Sequence, residues 1–139
     1  MAGGRFVTLL SLCSALAVLA AGCGGGTPAA YTAQGTVKCL PGKGFTAVTA
    51  DPLKVGFIAG FAENGGIKAT APGGNVLTIA FALDTDGAAA TEKAFRAHAT
   101  PFYKRHMADI MESQRNAVFV WTTAPSQALL ATALGCLGS

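Results

Sequence analysis

The side chains best placed by type and spacing to do chemistry are His106, Asp109 and Glu112, each three residues from the next in a stretch of helical pattern. An imidazole and two carboxylates on one slowly drifting helix face are donors that a hard or borderline metal accepts. Helical metal signatures, however, place two histidines at i and i+4 and add a third ligand. Here the other histidine, His98, lies eight residues away and across Pro101. Beside Lys104 and Arg105, the trio reads more simply as a solvated helix face, and no metal or other cofactor is expected. The chain has no GxSxG nucleophile elbow, no SxxK and no HExxH. Pro41-Gly42-Lys43-Gly44 resembles a phosphate loop only superficially. It lacks the upstream Gly at the required spacing and a Ser or Thr after the Lys, so it is a turn.

The N-terminus carries a different kind of chemistry. Arg5 supplies one positive charge, and Phe6 to Ala21 follows without a charged residue. That run is shorter than the roughly 20 residues a spanning helix needs. A basic start, an apolar middle and small residues before a cut site mark a secretory signal. The ending Leu19-Ala20-Ala21-Gly22-Cys23 resembles the lipobox of bacterial lipoproteins, with Ala20 where Leu is commonest. The resemblance implies that residues 1–22 are removed and that Cys23, acylated with diacylglycerol, becomes the first mature residue. It also implies an exported protein, lipid-anchored to the cell membrane or outer membrane. Ordinary cleavage after a small residue, or an uncleaved anchor, are the alternatives.

On that reading Cys13 leaves with the signal and Cys23 carries lipid, so Cys39 and Cys136 remain in an oxidising compartment where disulfides persist. No CxxC is present and neither cysteine has a histidine near it. The pair is expected to form a structural disulfide, the alternative being two buried free thiols. A closed loop of that length is worth about 4.7 kcal/mol in the chain-entropy model.

The mature chain of 117 residues is one domain's worth. It keeps nine of the ten Lys and Arg and all seven Asp and Glu, so its net charge is nine minus seven, or +2. So weak and scattered a balance argues against nucleic acid as a partner, because phosphate binding needs clustered basic charge.

The elements that must position these residues follow from pattern and punctuation. Residues 23–34 read as a Gly-rich tether, and 35–139 as a single α+β domain. Gly35 to Leu40 is expected as a strand, and Phe45 to Ala50 as extended or irregular chain. Asp51-Pro52 starts a helix running to about Glu63, with Leu53, Phe57, Ile58 and Phe61 near one face. Ile67 to Ala71 alternates apolar and polar residues and pairs as a hairpin with Val76 to Leu83, which is apolar on both faces. Asp84-Thr85-Asp86 caps a helix to Ala99, and Thr100-Pro101 kinks it or opens another running to Met111. The stripe of Phe95, Phe102 and Met107 is expected in the core. Asn116 to Thr122 is a strand and Gln127 to Leu137 a final helix. A strand of this kind followed by Thr-x-Pro, a short helix and a late Cys, over the last 25 residues or so, looks like small exported bacterial domains of unknown function. That likeness implies no activity.

The first six elements match the βαββαβ order of the ferredoxin-like fold, with the last helix as an addition. That order fits the disulfide. Cys39 would end strand one, and a final helix of about ten residues, climbing roughly 15 Å, would bring Cys136 to a similar level. Such a fold leaves one sheet face open. Either Trp121 and Phe119, or Val118 and Val120, must face away from the main helices. One of these sets together with Val76, Thr78, Ala80 and Ala82 is a candidate binding surface, unless segment 100–115 or the final helix folds over it. The expected function is a non-catalytic binding role, for an envelope protein or a small apolar ligand, on a membrane-anchored lipoprotein domain. The alternative is an envelope enzyme with a motif-less site, such as a metal site around His106.

Overall fold

A computed structural model describes residues 27–139; the expected signal segment, Cys13 and Cys23 lie outside the described residues. The chain is α+β. Five strands, β1 (Thr46–Thr49), β2 (Gly66–Thr70), β3 (Val76–Phe81), β4 (Met111–Gln114) and β5 (Ala117–Trp121), make one open sheet in the order β1-β2-β3-β5-β4. Every neighbouring pair is antiparallel. Helices α1 (Ala33–Val37), α2 (Cys39–Gly42), α3 (Phe57–Gly60), α4 (Thr85–His98), α5 (Pro101–Ile110) and α6 (Gln127–Leu134) complete the order. No helix among the described residues is long and apolar enough to cross a membrane.

The ferredoxin-like βαββαβ order required a strand at Gly35 to Leu40, and those residues are helical instead. The Thr32 side chain accepts a hydrogen bond from the Gly35 N–H at 3.0 Å and so caps α1. Ala33, Thr36 and Leu40 are buried at i, i+3 and i+7 while Lys38 is exposed, which is a helical period rather than a strand's. Gly35 is needed for a different reason: a Cβ there would lie 2.6 Å from the Gly138 carbonyl carbon. Two backbones cross at that point, and the Thr32 N–H donates to the Gly138 carbonyl at 2.9 Å. The first strand is instead the short β1, inside the stretch expected to be extended.

The helix expected from Pro52 to Glu63 is replaced by two separate turns. The Asp51 carboxylate accepts from the Leu53 N–H at 3.0 Å and meets Lys54 Nζ at 3.3 Å, closing one turn. Those contacts, the Leu53 N–H first, hold its carboxyl below the usual range. Gly56 then adopts φ 98°, which an L side chain resists, and only the four-residue α3 follows. The consequence reverses the expected face. Val55 and Ala59 are buried against Ala80, while Leu53 is 94% exposed, Phe57 76% and Phe61 78%.

The β2–β3 hairpin, α4 with Asp84 as its cap, the break at Thr100-Pro101 and the start of α6 at Gln127 all lie where the pattern placed them, although α6 ends at Leu134, short of Leu137. Leu83, expected as the last residue of β3, is past its end and exposed. The register sorts the sheet into two faces. Leu77, Ile79 and Phe81 stand opposite Trp121, Phe119 and Ala117, so these six share one face. Phe45 packs on Trp121 with ring centroids 6.4 Å apart, and both belong to a buried cluster with Ala33, Leu40, Ala133 and Cys136. The Cys39–Cys136 disulfide is formed, with Cα atoms 5.4 Å apart, and ties α2 to the turn after α6. The other face carries Val76, Thr78, Ala80, Val118 and Val120, under α3, α4 and α5. The molecule is a sheet between two helical layers.

Candidate functional site

With helices on both faces, no bare sheet face exists among the described residues. Most of the expected binding surface is core: Trp121 is 1% exposed, and Phe119 and Ala80 are fully buried. Val76 and Thr78 stay half-buried and lie with Val120 on the face beneath α4 and α5. The helical cover is incomplete there, and a cleft of about 300 Å³ remains.

Each wall of the cleft has a sequence cause. Its floor is the Val76, Thr78 and Val120 row, set by the Thr78↔Val120 register. One wall is the last turn of α4, from which Phe95, His98 and Ala99 project at i, i+3 and i+4. Ala99 leaves helical geometry with ψ 144°, Thr100 stays extended as the residue before Pro101, and the chain restarts as α5 with the proline in its first turn. The second wall is the α5 stripe Tyr103, Met107 and Ile110, at i, i+4 and i+7. Phe102, expected inward, is 57% exposed and rests on Tyr103 and His106 instead. Ile58 of α3 closes one end. At the other rim Asn75 binds Thr122 and Thr123 through both atoms of its amide, which fastens the start of β3 to the end of β5.

The chemistry this lining offers is mainly apolar. Its polar groups are the Thr78 and Thr122 hydroxyls, the His98 imidazole and the Tyr103 phenol, spread around an aliphatic and aromatic interior. That combination, a concave apolar volume with a few polar points, suits a small hydrophobic molecule carrying one polar group. The Thr122 hydroxyl is engaged by the Val76 N–H and the Asn75 amide oxygen.

The candidate metal residues do not assemble. His106 Nδ1 and Asp109 Oδ2 approach to 3.9 Å on exposed helix surface, whereas Glu112 is on β4, opposite Phe119. No group of three or more His, Cys, Asp or Glu side chains that could hold a metal occurs among the described residues.

A buried polar residue that the pattern did not single out organises the end of the sheet near the N-terminus. Asn116 is 2% exposed, and its amide bonds the Tyr31 N–H, the Tyr31 carbonyl and the Ala82 carbonyl, each at 2.8 Å. Arg115 lies over the Tyr31 ring at 4.2 Å and donates to the carbonyls of Pro28 and Ala29. Residues 28–33, read from sequence as tether, are thus held to the domain. Comparison with protein-family models, curated proteins and solved structures finds no match, so the function has to be argued from this geometry.

Proposed function

We propose that this protein is an exported lipoprotein, anchored in the envelope through lipid on Cys23, whose domain has a non-catalytic role: it holds a small apolar ligand in the cleft between the sheet and α4–α5. The observation that carries the proposal is the cleft itself, an apolar volume left open between the sheet and α4–α5. A void lined by Phe95, Tyr103, Met107, Ile110, Val76 and Val120 forgoes both dispersion contacts and the gain from excluding water. A ligand filling it restores both. Because both sheet faces carry helices, the arrangement favours a small ligand over a protein partner bound on the sheet.

The lipobox-like Leu19-Ala20-Ala21-Gly22-Cys23 supports the anchor. The Cys39–Cys136 disulfide is compatible with an oxidising, exported location. The experiment is mass spectrometry of the native protein extracted from membranes with mild detergent. The expected result is a chain beginning at diacylglyceryl-Cys23 that also retains an apolar molecule, released on denaturation. A chain beginning elsewhere and bearing no lipid would refute the anchor, and a lipidated chain with nothing bound would count against the ligand.

A further inference from the structure

The most conspicuous surface feature lies outside the cleft, on the loop expected to be a buried helix. Leu53, Phe57 and Phe61 fall within nine residues of one another and are 94, 76 and 78% exposed. The two rings stand together, with centroids 5.0 Å apart. Single exposed apolar residues need no explanation, but a grouped set of large ones marks a contact surface.

The exposure is imposed by the backbone. Asp51 caps the first turn, Gly56 at φ 98° separates it from α3, and Gly60 sits so close under the Pro52 carbonyl that a Cβ would meet the oxygen at 2.4 Å. Val55 and Ala59 are pinned against Ala80. With those two inward, Phe57 and Phe61, i and i+4 on one turn, have only the outside to occupy. The result is a projecting pair of rings, with exposed Leu53 on the turn whose Pro52 carbonyl Gly60 packs against.

Where the chain enters the domain identifies what meets this projection. Arg115 holds Pro28 and Ala29, and Asn116 holds Tyr31. Ala33 bonds the Asn64 carbonyl, while Asn64 bonds the Phe81 and Ala82 carbonyls. The point of entry, exposed Leu83 and the segment just after Phe61 therefore belong to the same end of the sheet. From Cys23 to Pro28 is five residues, at most about 18 Å of chain. A lipid on Cys23 keeps this end of the domain beside the bilayer. Asp51, Lys54 and Glu63 sum to −1 over the loop, so attraction to anionic headgroups contributes nothing and the contact is apolar.

We propose that Leu53, Phe57 and Phe61 insert into the bilayer surface, giving the domain a second, non-covalent membrane contact that fixes its orientation. The loop also borders the ligand site: a depression of about 410 Å³ along Phe57 shares Ile58, Thr78, Phe95 and His98 with the cleft. A domain seated this way turns that approach toward lipid, so the ligand class becomes a membrane amphiphile rather than a water-soluble metabolite. The nearness of the bilayer rests on the anchored reading above.

The test uses the full-length lipidated protein carrying Phe57→Trp, reconstituted in phosphatidylcholine vesicles with brominated acyl chains. The wild type, whose single Trp121 is buried, supplies the background. Insertion predicts that the added emission shifts to the blue, is quenched about twofold by bromolipid, and is unaffected by high salt. Water-like, unquenched emission overturns the proposal, whether the patch faces solvent, a protein or a second copy. Flotation of the same vesicles shows separately whether the anchor holds. The triple variant Leu53→Ser, Phe57→Ser, Phe61→Ser should melt where the wild type does. A collapse in melting temperature would mean these side chains pack in the native fold and would also overturn it.

Discussion

Trp121 is packed between Phe45 and the sheet at 1% exposure, and its indole nitrogen has no acceptor among the described residues. It therefore serves the core. Trp121→Ala should lower stability by about 3–5 kcal/mol in a denaturant titration, the cost of an emptied aromatic site. A change within experimental error would place this side chain back at a surface. The strand alternation identified two apolar sets on β5 correctly, but alternation does not say which set meets which helices. The same limit hid Asn116. Its partners Tyr31 and Ala82 lie 85 and 34 residues away, and an Asn at a strand's start reads as ordinary turn chemistry until that separation closes.

At the scale of elements, legibility followed the length of the periodic signal. β3, β5, α4 and α6 carry either a long apolar pattern or an unambiguous cap, and the structure has them all. The failures are short elements. α1 and α2 total nine residues, where Thr36 and Leu40 fit alternation as well as helical spacing until the Thr32 cap is recognised. At 52–63, one glycine at positive φ outweighs an apparently continuous stripe. β4 has no apolar alternation, and as an edge strand it needs none. Of the cleft lining, Val76 and Thr78 stand out in the sequence as candidate surface while Phe95 and Met107 read as core, and the α4–α5 walls depend on an angle at Pro101 that the sequence leaves open. The disulfide pairing was correct although Cys39 begins a helix rather than ending a strand. Non-reducing mass spectrometry should find neither Cys39 nor Cys136 alkylatable, and the double variant Cys39→Ala, Cys136→Ala should lose about 2–5 kcal/mol. Two alkylatable thiols in the native protein would contradict the pairing.

For the whole molecule, the chain enters at the end of the sheet formed by Phe81, Ala82 and Asn116, and the segment after Phe61 meets that end. The apolar cleft opens toward the other end, by Val76 and Thr122, with Phe57 bordering the depression that leads to it. The disulfide links residues 97 apart and closes the helical layer on the far face, so that layer has a covalent staple, whereas the cleft side is held by packing and by the hydrogen bond from the Ser113 hydroxyl to Glu92 of α4. That asymmetry leaves α4 and α5 as the layer able to adjust around a ligand.

The central claim, that the cleft holds an apolar ligand, is tested most directly by energy transfer from Trp121 to a conjugated-polyene fatty acid added to the full-length protein in vesicles. Trp121 is the chain's single tryptophan and borders the cleft, so it excites only probe bound close by. The account predicts transfer that saturates near one probe per protein and is lost when Thr78→Phe fills the floor, with the melting temperature little changed. Transfer that rises without saturation and is the same in Thr78→Phe would show that the probe only partitions into lipid, and would contradict the claim.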